Sequence, residues 1–108
     1  MSKERLYKLL EFYNEDPHDP FNIYALATEY LKTDKLKSLE FFRILLKDFP
    51  TYLPTYYHAA ALMEELKFWE EAEEVYKNGI KQCKDQNNQH LLRELKNAWS
   101  NFEFNKDE

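Results

Sequence analysis

The chain is predicted to be all-α, built from antiparallel helix pairs, with about six helices in one domain over residues 1–108. Three observations carry this. The chain holds a single Gly, and three of its four Pro stand between helical patterns. Its apolar residues recur every three to four positions. One two-helix stretch, Leu53 to Cys83, has a looser copy just upstream.

The elements follow in order. Ser2 can cap a first helix in which Leu6, Leu9, Leu10 and Tyr13 share a face. This helix stops before Asp16, because Pro17 disfavours the α conformation in its predecessor. Asp19 is an N-cap residue and Pro20 suits the first helical position. The second helix carries Ile23, Leu26, Ala27 and Tyr30 to about Thr33. Asp34 caps a third helix with Leu36, Leu39, Phe42, Leu45 and Phe49 on its apolar side, and Pro50 stops it. Thr51 is the expected cap of the fourth helix, with Pro54 in its first turn. Tyr56, Ala59, Ala60 and Met63 mark that helix's inner face. The fifth runs from near Phe68 to about Lys84. Asn87 or Asn88 caps a sixth, and residues 105–108 are expected to fray.

Charge and composition narrow the function. The net charge is −5, which disfavours a nucleic-acid backbone or an anionic membrane as the main partner. No apolar run reaches membrane-spanning length. Cys83 is the only cysteine, so no disulfide forms within the chain, which fits a reducing, cytoplasmic setting. One Gly excludes a glycine-rich phosphate loop. His18 lies between Asp16 and Asp19, but those acids suit turns and caps better than a metal. His90 and Glu94 share a helix face without further ligands nearby. Cys83 has no local cation to lower its pKa. The expectation is no metal, no cofactor and no catalysis.

Two motifs recur. Ile23, Leu26, Ala27 and Tyr30 match Tyr56, Ala59, Ala60 and Met63 at an offset of 33 residues, and Ser38 and Phe42 match Ala72 and Tyr76 at an offset of 34. The first copy is therefore one residue shorter between its helices. Small residues let paired helices approach: Ala27 and Ala60 on one side, Ser38, Ala72 and Gly79 on the other. Gly in mid-helix costs about 1 kcal/mol relative to Ala, so Gly79 is expected to mark a close helix contact.

The pattern resembles the tetratricopeptide repeat family, whose signature has a 34-residue period with W-x₂-L-G-x₂-Y, then A-x₃-F, then P. The match is by size class, without the family's Trp or Gly. The resemblance implies a short right-handed α-solenoid: residues 1–16 as a half-repeat, 20–50 as the first repeat, 51–84 as the second, and 86–104 as a capping helix. It also implies a protein-interaction scaffold whose first helices line a concave groove for a peptide. By position, Tyr24, Ala25, Thr28, Leu31 and Lys32 would face that groove from the first copy, and Tyr57, His58, Ala61, Glu64 and Glu65 from the second.

Tyr24 and Tyr57 have two readings, as anchors for a partner or as packing against neighbouring helices. The slots where some relatives clamp a peptide carboxylate hold Tyr57, His58, Ala61, Glu64 and Glu65, so that clamp is absent. An aromatic floor with an acidic rim suits an apolar or basic protein segment. The alternative is a homodimer through the terminal helices, with Trp99, Phe102 and Phe104 as candidates, since so much aromatic surface on a last helix need not all be covered.

Overall fold

The computed structural model describes residues 2–106, with Ser2 described by its backbone alone. Among the described residues six helices follow one another: α1 (Ser2–Glu15), α2 (Pro20–Tyr30), α3 (Lys35–Asp48), α4 (Pro54–Glu65), α5 (Trp69–Asp85) and α6 (Gln89–Asn105). The chain divides into two compact units, one ending at Tyr52 and the other beginning at Leu53.

In the first unit, the Asp19 carboxylate accepts from the Phe21 N–H at 2.9 Å and Pro20 starts α2. Asp34 caps α3 by accepting from the Lys37 N–H at 3.1 Å. Each bond satisfies an amide that the first helical turn leaves without a partner. The expected cap at Ser2 rests on a side chain outside the described residues. α2 ends at Tyr30, short of Thr33. Single turns follow instead, with the Lys32 N–H bonded to the Glu29 carbonyl at 3.3 Å and the Thr33 N–H to that of Tyr30 at 3.1 Å.

The core of this unit lies between α2 and α3. Ile23, Leu26, Ala27, Leu39, Phe42 and Leu45 are almost wholly buried. The Ser38 hydroxyl crosses the pair and donates to the Ala27 carbonyl at 2.6 Å. Tyr30 stacks on Phe41 at 5.9 Å, and Tyr13 of α1 meets the same ring edge-on at 5.6 Å. Asn22 ties the end of α1 down by donating to the carbonyls of Phe12 and Asp16.

The second unit closes its helices differently. Lys67 follows α4 in the left-handed conformation, with φ 67°. The Phe68 N–H reaches back to the Met63 carbonyl at 2.8 Å and the Lys67 N–H to that of Glu64 at 3.0 Å. These two bonds make a Schellman motif. The same motif ends α5, where Asn87 has φ 56° and the Asn88 N–H bonds to the Cys83 carbonyl at 2.9 Å. Asn88 then caps α6 through the Leu91 N–H at 3.0 Å.

Gly79 shows why no side chain fits at its position. A Cβ there would lie 2.8 Å from Tyr56 Cβ and 3.0 Å from Leu95 Cδ1. α4, α5 and α6 therefore meet around this glycine.

Two expectations need correction. Thr51 does not cap α4; Leu53 holds the cap position without a side-chain bond. Thr51 sits too early, in the turn that the Tyr52 N–H closes onto the Phe49 carbonyl at 3.0 Å. Nor does the chain fray at Asn105, the last residue of α6. Lys106 behind it pairs with Glu103 at 2.8 Å and Glu73 at 3.0 Å, and lies over the Phe102 ring at 5.6 Å. Asp107 and Glu108 lie outside the described residues.

Candidate functional site

The candidate residues fall on one helix face in each unit. On α4, Tyr57, Ala61, Glu64 and Glu65 recur at helical spacing and share a stripe. Tyr57 is 43% exposed. Its ring meets His58 edge-on at 5.8 Å. His58 is half-buried, and burial holds its pKa below the ordinary value. Ala61 and Glu65 are exposed. An exposed aromatic therefore stands beside a bare methyl one turn on.

Glu64 has a different role from its neighbours. It is half-buried and accepts a hydrogen bond from the Tyr76 hydroxyl of α5. Burial, then the adjacent Glu64 carboxylate, pushes the Tyr76 hydroxyl far above its usual pKa. Glu64 thus serves the α4–α5 pair, and the rim acidity of this stripe rests on Glu65.

On α2, Tyr24, Ala25, Thr28 and Leu31 are half-buried and Lys32 is exposed. The Tyr24 ring meets Tyr52 edge-on at 5.9 Å. Burial raises the pKa of both phenols, and for Tyr52 the nearby Tyr24 and Asp19 add to it. The Thr28 hydroxyl turns back to the Ala25 carbonyl at 3.0 Å. This face is thus more closed than that of α4.

One charged centre escaped the sequence reading. Glu29, only 6% exposed, pairs with Arg5 of α1 at 3.1 Å and with Lys32 at 3.2 Å. The three-residue spacing of Glu29 and Lys32 was a readable signal for the second pair. The Arg5 contact joins separate helices and left no local trace.

His90 Nε2 lies 3.1 Å from the exposed Glu94 carboxylate. Cys83 is fully buried, and burial raises its pKa. Among the described residues, no three His, Cys, Asp or Glu side chains come together as metal ligands would. No described helix is long and apolar enough to cross a membrane.

The candidate aromatics of α6 separate. Phe102 is 1% exposed, packed on Tyr76 at 5.4 Å and Trp99 at 5.6 Å. It is core, so it offers no surface for a dimer. Trp99 is half-buried against Tyr76 at 5.8 Å. Phe104 is exposed, but Asn97, Ser100 and Asn101 around it are exposed polar residues.

No family model matches the chain, and no curated protein does. Solved structures do. A solution NMR structure of a tetratricopeptide repeat domain protein from Salinibacter ruber is 38% identical, with a TM-score of 0.78, over 83% of this chain and 92% of that one. A crystal structure of a tetratricopeptide repeat domain protein from the same organism is 37% identical, with a TM-score of 0.75, over 79% of this chain and 97% of that one.

Proposed function

Since the chain belongs to the tetratricopeptide repeat family, we propose that it is a non-catalytic scaffold that holds a peptide or protein segment on the first helix of each repeat. The observation that supports this most directly is Tyr57, 43% exposed in mid-helix, beside the exposed Ala61 and Glu65. A rigid aromatic next to a small residue gives an apolar side chain both a wall and a space, and tyrosine is a frequent energetic anchor at interfaces. Glu65 and the net charge of −5 favour a segment that is apolar or basic. Tyr24, Thr28 and Leu31 on α2 form the second, more closed surface of the same reading. The free, buried thiol of Cys83 suits a reducing compartment such as the cytoplasm.

The test is affinity capture with mass spectrometry, comparing the natural chain with Tyr57→Ala and Ala61→Arg. Both positions are exposed, so circular dichroism should be unchanged. Partners held on this face are lost from both variants. Retention of every partner by both would overturn the reading. Glu64 is unsuitable for this test, because changing it also removes the partner of Tyr76.

A further inference from the structure

Of the terminal helices, α1 is the one left open. None of its described residues is buried: Leu6, Leu9, Leu10 and Tyr13 are half-buried, while Tyr7 is 65% and Phe12 46% exposed. A shallow hollow lies on this helix, lined by Glu4, Arg5, Lys8 and Leu9. Phe12, one turn beyond it, has the size and exposure of a knob for such a hollow.

The charges of α1 are arranged against its own dipole. Lys3, Arg5 and Lys8 occupy its first half, with Glu4 among them, and Glu11 and Glu15 occupy its second, with Asp16 just beyond. A helix favours the reverse, anions at its start and cations at its end. The neighbouring α2 answers part of this, because Glu29 pairs with Arg5. Lys8, Glu11 and Glu15 have no ion-pair partner among the described residues.

We infer that a second copy of this chain docks antiparallel along α1, each Phe12 entering the hollow between Arg5, Lys8 and Leu9 of the other. The pattern is self-complementary, as a two-fold interface requires. With the axis level with Leu9 and Leu10, Lys8 of one copy stands level with Glu11 of the other, and Phe12 level with the turn that holds the hollow. The basic half of each helix meets the acidic half of its partner. Glu4 faces Glu15 across the same axis, and that repulsion is offset by Arg5 and Lys8 beside it. A helix of this length offers about 20 Å of contact. The interface is therefore small and the dimer weak, with a Kd on the order of 10–100 micromolar. This inference is independent of the α4 surface and survives if that reading fails.

Sedimentation equilibrium from micromolar to roughly millimolar chain reads it directly. The natural chain should move from monomer to dimer across that range, with weaker association at high salt. Lys8→Glu and Glu11→Lys should each be monomeric, since each sets like charges face to face. Mixed one to one, the two variants should associate again, because every facing pair is then opposite in sign. Phe12→Asp should be monomeric alone and in any mixture. Lys8 and Glu11 are exposed, so circular dichroism should confirm that the charge variants fold. A natural chain that stays monomeric throughout overturns the inference. So does a dimer that survives both charge reversals, or a mixture of the two variants that fails to associate.

Discussion

The two repeats solve one packing problem with opposite choices at equivalent positions. In the second, Tyr56 is large and Gly79 vacant, with the glycine's missing Cβ 2.8 Å from Tyr56 Cβ. The matching positions of the first hold Ile23 and Leu45, both buried, so bulk is shared between the helices. Where the second repeat joins α4 to α5 by the bond from Tyr76 to Glu64, the first has Phe42 and Leu31. Where the first joins α2 to α3 by the Ser38 hydroxyl, the second has Ala72. Sequence identity at a repeat position is therefore a poor guide to what holds that position. What each facing pair has to keep is close packing and satisfied buried polar groups, and different residues meet that requirement in each repeat.

The sharpest way to break this comparison is Gly79→Leu. It forces a side chain into Tyr56 at contact distance and should cost about 3 kcal/mol or more. Tyr56→Ile in the same chain should recover little of the loss, because Ile keeps the Cβ that the new side chain meets and Leu95 still stands on the other side. Urea denaturation of the natural chain, Gly79→Ala and Gly79→Leu should show a cost that rises with the size of the side chain. Equal stability of all three would mean that the contact at Tyr56 yields without cost.

Next in size is Ser38→Ala, which gives the first repeat the residue of the second at that point. The Ala27 carbonyl loses its side-chain donor in a buried site, and the change should cost about 1 kcal/mol. The measurement is the denaturant midpoint at constant slope.

These pairings also show how far the residues could be read without coordinates. Six helices, the caps at Asp19 and Asp34, a cap at Asn87 or Asn88 for the last helix, and the tight approach at Gly79 were legible, because each depends on local spacing or on a single small residue. The cap at Thr51 was misread, because a turn closing from Phe49 to Tyr52 carries no strong signal. The role of Glu64 was hidden, since its partner Tyr76 is twelve residues away on another helix. An acid on an outward-facing stripe reads as solvated until such a contact is seen. Which of Trp99, Phe102 and Phe104 is covered was hidden for a related reason: the burial of Phe102 depends on Tyr76 and Trp99 packing against it.

The extra residue of the second repeat supplies a smaller test. Its turn spends Lys67 in the left-handed region, at φ 67°, where a side chain is disfavoured by roughly 1 kcal/mol. The first repeat closes the same join with no left-handed residue. Lys67→Gly should therefore stabilise the chain by about 0.5–1 kcal/mol, net of the greater freedom of the unfolded glycine. Asn87→Gly should gain less, because Asn tolerates this conformation better than Lys. Thermal melts of both variants check the order, and an equal or larger gain at Asn87 would contradict it.

The smallest difference expected is one of pH. His58 of α4 corresponds to Ala25 of α2, so only the second repeat carries a titrating ring at this position. Burial holds the His58 pKa below its ordinary value, so the fold favours the neutral imidazole. The unfolded chain binds its proton first, near pH 6.5. Stability from this group is complete above that pH and declines below it, until the folded ring also takes up a proton. Carboxylates add their own loss at lower pH; Glu73, for example, is held below the usual range by Lys106 and Lys77. Comparison with His58→Ala isolates the imidazole. The difference in denaturation free energy between the two proteins should shrink as pH falls from about 7 to about 5. Residue-resolved hydrogen exchange should place that change in α4 and α5. A difference that stays constant over this range would mean that His58 keeps the same proton affinity folded and unfolded, and that its burial within the repeat is not felt by its charge.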